Sequence, residues 1–67
     1  MKMLELMPCL VGCSEIYVND CVMCEHVAEY SNKRWDCDDY DDYCKLMNKD
    51  VIAILPVDEW SVRIEVA

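Results

Sequence analysis

Six cysteines, one histidine and a short run crowded with aspartates are the residues of this 67-residue chain whose types and spacing could carry chemistry. The cysteines follow the pattern Cys9-x3-Cys13-x7-Cys21-x2-Cys24-x12-Cys37-x6-Cys44. Only Cys21 and Cys24 form a tight pair. Two thiolates at that spacing can face one ion from a single turn of backbone, whose N–H groups help to neutralise the sulfurs. Tetrahedral zinc, at about 2.3 Å per Zn–S bond, is the natural occupant. Zinc needs four ligands, and the expected set is Cys21, Cys24, Cys37 and Cys44, because the twelve residues between pairs can fold back as a short helix and turn. The set Cys9, Cys13, Cys21 and Cys24 leaves seven intervening residues, a short loop for returning a second pair. For Cys9 and Cys13, a buried thiol, a local disulfide and a second metal site with His26 all stay open; His26 also reads as a plain surface residue. A redox role for Cys21–Cys24 lacks the βαβ pattern that usually surrounds such a pair.

Residues 36 to 42, Asp-Cys-Asp-Asp-Tyr-Asp-Asp, hold five carboxylates. They do not make an EF-hand, since a loop starting at Asp36 requires Gly at position 41 and Glu at 47, where the chain has Asp41 and Met47. Closely spaced carboxylates can imitate a row of phosphates, and Tyr40 and Tyr43 supply aromatic anchors of the kind that dominate binding surfaces. The expected contact set is therefore Asp36, Asp38, Asp39, Tyr40, Asp41, Asp42 and Tyr43. A solvated loop that maintains solubility is the plainer reading.

Fourteen acidic residues against six basic ones give a net charge of −8, and residues 20 to 44 hold eight of the acids with two of the bases. Four thiolates and one Zn²⁺ would take the charge from −8 to −10. Such a surface repels phosphate backbones, so direct nucleic-acid binding is not expected; the fitting partner is a protein with a basic surface. One histidine, three serines and no glycine-rich loop leave no catalytic set, and no enzyme is expected.

The elements that must position these residues are short. Residues 2 to 7 read as a strand ended by Pro8, Glu15–Val18 as a second strand, and Glu25–Tyr30 as two helical turns. With Gly12 the only glycine, turns needing positive φ fall to Asn19, Asp20, Asn32 or Asn48. A helix from Asp36 would put Cys37, Tyr40, Cys44 and Met47 on one stripe. However, clustered aspartates repel and form helices poorly, so the expectation is a loop followed by a hairpin pairing Tyr43–Leu46 with Val51–Leu55. On one straight helix Cys37 and Cys44 would also be about 10 Å apart in rise, too far to share an ion. Pro56–Trp60 reads as a turn. Ser61–Val66 alternates as a strand, with Val62, Ile64 and Val66 inward and Arg63 and Glu65 outward.

A chain of this length makes one small domain, residues 1–67, whose core alone is marginal without a metal, disulfides or a partner. The opening residues have no uninterrupted apolar run of signal-peptide type, and no stretch suits a transmembrane helix. The expected setting is cytosolic, where dense cysteines more often bind metal than pair. The alternative is a secreted or structural domain stapled by three disulfides. A Cys-x-x-Cys-x-His start at Cys21–His26, a charged and aromatic spacer, then Tyr43-Cys44-Lys45-Leu46 before a turn and an apolar strand, resembles the small cysteine-rich zinc-binding proteins of bacteriophages and mobile elements. The resemblance covers residues 21 to 55. It implies a zinc knuckle or ribbon on a small sheet, with Cys21, Cys24 and Cys44 at ligand positions and Cys37 as the fourth. The chain departs from that pattern in having Ser61, not cysteine, after Trp60. Together these features point to a small α+β, mostly β domain, a zinc-stabilised knuckle or ribbon on a short antiparallel sheet. Its expected role is an acidic interaction module: an inhibitor or adaptor of the kind used in phage anti-defence, including the anti-CRISPR type.

Overall fold

The computed structural model describes all 67 residues. The elements in chain order are α1 (Met3–Leu6), a 3₁₀ turn over Met7–Leu10, β1 (Glu15–Asp20), β2 (Glu25–Ser31), β3 (Arg34–Trp35), α2 (Tyr40–Met47), β4 (Val51–Pro56) and β5 (Ser61–Val66). All strands join one sheet in the order β3-β2-β1-β5-β4. β1 and β5 pair in parallel at its centre, and the other ladders are antiparallel. The fold is thus α+β and mostly strand, as expected, but the sheet is mixed where an antiparallel one was expected. Parallel neighbours need a long crossover, and here β2, β3, α2 and β4 all lie between β1 and β5 in the chain.

One face of the sheet is covered. Ile16, Val18, Ala28, Val62, Ile64 and Val66 are buried together with Met3, Leu6, Leu10, Leu46 and Met47 from the helical segments. The expected inward set of β5 is therefore found, with Arg63 exposed; Glu65 is half-buried and ion-paired to Arg63 at 3.1 Å. None of the eleven core side chains is a cysteine, although Cys13 and Cys37 pack against the core.

Three segments differ from the sequence reading. Residues 2 to 7 are not a strand: Met3, Leu6 and Leu10 recur at helical spacing and all three are buried, while the Lys2 N–H donates to Glu5 Oε1 at 2.8 Å to close the first turn. Glu25–Tyr30 is not helical, because β1 needs a partner on this side and finds it across the Cys21–Cys24 turn. Asp20 fixes that turn, its Oδ1 accepting from the N–H groups of Val22 and Met23 at 2.8 and 2.9 Å.

The acidic segment holds the third difference. Tyr43–Leu46 does not pair with Val51–Leu55; it is the middle of α2, and β4 pairs with β5 instead. The repulsion expected among the aspartates is offset by where they fall. Asp39 is the N-cap, accepting from the Asp42 N–H at 2.9 Å, and Asp41 and Asp42 lie in the first turn, where the helix dipole favours negative charge. Positive φ is also distributed differently: Asn32 adopts it at 52°, joined by Lys33 at 65° and Cys24 at 56°, not by Asn19, Asp20 or Asn48. No helix is long and apolar enough to cross a membrane.

Candidate functional site

The acidic surface starts where β3 ends. Asp36 prolongs the ladder, its N–H donating to Glu29 O at 3.0 Å while its Oδ1 accepts from the Glu29 N–H at 2.9 Å. Its other oxygen stands 3.6 Å from His26 Nε2. Asp36 and Asp39 therefore have structural duties. Asp38, Asp41 and Asp42 have no ion-pair partner, since the three ion pairs of the chain are Lys2–Asp50, His26–Asp36 and Arg63–Glu65. All five carboxylates are exposed. Tyr40 is 77% exposed and stacks on the half-buried Tyr43, with ring centroids 6.4 Å apart and planes 23° from parallel. The seven contact residues read from the sequence thus occupy one continuous stretch, from the end of β3 through the first turn of α2.

Beside them lies an open hollow of about 380 Å³ lined by Val27, Asp36, Cys37, Asp42, Lys45 and Lys49, among others. Burial, and then the charges of Asp36, Asp42, Asp38 and Asp39, push the Cys37 thiol up, so it holds its proton more firmly than a free cysteine. On the exposed stripe of α2 the Tyr40 hydroxyl is also pushed up, chiefly by its hydrogen bond to Cys44.

The cysteines are dispersed. Cys21 and Cys24 sit at the exposed tip of the β1–β2 hairpin, lining a depression with Asn19, Asp20, Arg63 and Glu65. Cys37 lies beyond β3, Cys44 on α2, Cys9 in the 3₁₀ turn and Cys13 in the loop between that turn and β1, Cys9 exposed and Cys13 packed on the core. All six are free thiols, and no three of the His, Cys, Asp and Glu side chains come together as a metal-ligating group. As a four-thiolate site, Cys21, Cys24, Cys37 and Cys44 do not fit zinc in this arrangement; the hairpin tip offers two of the four ligands that a structural zinc takes. His26 faces Asp36, not Cys9 and Cys13.

The sequence reading missed a second surface along β4. Ile52, Ile54, Leu55, Val57 and Trp60 are all exposed large apolar residues. The uncharged run from Val51 to Val57 is visible in the sequence, but an edge strand and a buried central one share that signature. No protein-family model, curated protein or solved structure matches the chain significantly.

Proposed function

We propose that this chain is an acidic protein-interaction module, an inhibitor or adaptor that occupies a basic surface of a partner protein through Asp36, Asp38, Asp39, Tyr40, Asp41, Asp42 and Tyr43. The observation that carries this reading is the exposure of five carboxylates around the stacked Tyr40–Tyr43 pair, three of them with no ionic partner in the chain. Such a row can stand in for nucleic-acid phosphates, the mode expected of a phage anti-defence inhibitor of the anti-CRISPR type, acting in the reducing cytosol where thiols stay free. Zinc is a separable part of the proposal, borne by the Cys21–Cys24 tip. With no cysteine in the core, the fold is expected to survive a chelator.

The test replaces Asp38, Asp39, Asp41 and Asp42 with asparagine, which removes four charges and keeps at position 39 a side-chain oxygen that can still cap α2. Against a short arginine-rich peptide as probe, the parent should bind with an affinity that falls steeply as salt rises. The variant should bind about tenfold or more weaker, mainly through a slower on-rate. Equal binding by both across the salt titration would assign the run to solubility alone. Native mass spectrometry reads the zinc part: a gain of about 63 Da that Cys24→Ser abolishes supports it, and an unshifted mass after zinc addition removes it. A loss of about 2 Da per bridge in the isolated protein would favour the disulfide-stapled alternative.

A further inference from the structure

We propose that the tip of the β1–β2 hairpin is a copper(I) site, in which the thiolates of Cys21 and Cys24 hold one ion in two-coordinate geometry. The site is independent of the acidic surface, and copper(I) competes there with zinc for the same two sulfurs.

The last pair of the β1–β2 ladder is Asp20 with Glu25, so Cys21 and Cys24 are the residues that leave it, one from each strand, with only Val22 and Met23 between them. A turn of that length keeps their Cα atoms within about 7 Å. Both thiols are exposed, and both line one depression with Asn19, Asp20, Arg63 and Glu65. The backbone that carries them is fixed at three points. The Cys21 N–H donates to Val66 O at 2.8 Å, and the N–H groups of Val22 and Met23 donate to Asp20 Oδ1 at 2.8 and 2.9 Å. Cys24 adopts a φ of 56°, a conformation that glycine or asparagine ordinarily supplies. A thiol held in a strained backbone, opposite a second thiol, marks the turn as a binding site and not a mere connection.

The donors around the two sulfurs select the ion. Asp20 Oδ1 already accepts two hydrogen bonds, Glu65 is paired to Arg63 at 3.1 Å, and His26 faces Asp36 at 3.6 Å. No third His, Cys, Asp or Glu completes a metal-ligating group. Zinc, which takes four ligands in a structural site, is left two short. Copper(I) is a soft ion that thiolates and thioethers select, and two thiolates fill a linear shell around it. Met23, 63% exposed in the same turn, carries a thioether of that soft class. Binding exchanges the two S–H protons for one Cu⁺. The complex carries one negative charge, and neither metal nor sulfur changes oxidation state.

The test is an anaerobic titration of the reduced full chain with copper(I) bicinchoninate, whose colour fades as the protein takes the ion. One equivalent per chain should be withdrawn. Cys24→Gly removes one sulfur and relieves the positive φ. It should therefore fold at least as stably as the parent by circular dichroism, yet hold copper(I) about a hundredfold or more weaker. Cys21→Ser should weaken binding as much. In the parent, copper(I) should protect Cys21 and Cys24 from iodoacetamide and leave Cys9, Cys37 and Cys44 as reactive as in the copper-free chain. The asparagine variant of the acidic run should take copper(I) as the parent does, so failure of one reading is distinguishable from failure of the other. No uptake by the parent, an ion shared between two chains, full affinity in folded Cys24→Gly, or protection of a different pair of cysteines each overturns the proposal.

Discussion

Ile54 and Ile64 face each other across the β4–β5 ladder, yet Ile64 is 0% exposed and Ile54 47%. The side chains are identical and the strands are neighbours; the difference is that β5 is flanked by β1 as well as β4, whereas β4 has a strand on one side only. Stability in so small a fold comes from what the middle of the sheet removes from water, and the exposed edge is what remains for binding. The aspartates at the other edge show the same division. Asp36 and Asp39 hold β3 and α2 in place, while Asp38, Asp41 and Asp42 stand free.

The largest effect expected from this contrast is on folding. Ile64→Ala empties a fully enclosed site and should destabilise by roughly 2–4 kcal/mol in a denaturant titration of the monomer. Ile54→Ala, made opposite it, should cost less than about 1 kcal/mol, because water already reaches much of that side chain. Equal losses would mean that β4 is held by contacts other than its exposure implies, and would remove the basis for treating its edge as free.

A smaller effect sharpens the comparison from the other edge. β3 is two residues long and is tied to β2 through Asn32 and Lys33, both at positive φ. Two consecutive residues of that kind make the turn that favours Asn followed by Gly, and Lys33 carries a Cβ where glycine would have none. Lys33→Gly should raise stability by about 0.5 kcal/mol, the relief of strain exceeding the extra freedom of the unfolded chain. A loss of stability would show that the Lys33 side chain makes compensating contacts with the sheet.

How far the sequence could be read follows from the same geometry. Ser61–Val66 was legible because one face of β5 is sealed, so burial enforces strict alternation. Glu15–Val18 was legible for the same reason, with Ile16 and Val18 buried. The turn before β5 was legible from proline and acidic residues between two apolar runs, although Pro56 itself closes β4 and the turn is Val57–Trp60. α2 was not, because its aspartates read as mutual repulsion until their place is known; at the cap and first turn the same charges favour the helix. Glu25–Tyr30 was not, because a register shift opposite Val18 and Asn19 breaks the alternation a strand would display. The contact residues from Asp36 to Tyr43 could be named because they are adjacent in the chain. Gathering Cys21, Cys24, Cys37 and Cys44 required distances across the fold, which spacing along the chain does not fix.

The smallest effect concerns the open face of the central strand, where Tyr17 lies between buried Ile16 and Val18. Its hydroxyl donates to the Glu15 carboxylate. That bond first, then partial desolvation and the charges of Glu15, Glu29 and Asp58, raises its pKa from 10.0 to about 12. The protonated form is the one favoured in the folded chain. Its contribution to stability is therefore fully present below pH 10 and fades as pH rises towards 12. Subtracting the alkaline absorbance titration of Tyr17→Phe from that of the parent isolates this phenol. The difference curve should have its midpoint well above that of an ordinary tyrosine, and Glu15→Gln should draw it back by removing the negative charge that accepts the proton. A midpoint near 10 in the parent would mean that Tyr17 swings free of Glu15. The open face of β1 would then be as loosely held as the edge at β4, and the contrast between the middle of the sheet and its margin would apply to the buried face alone.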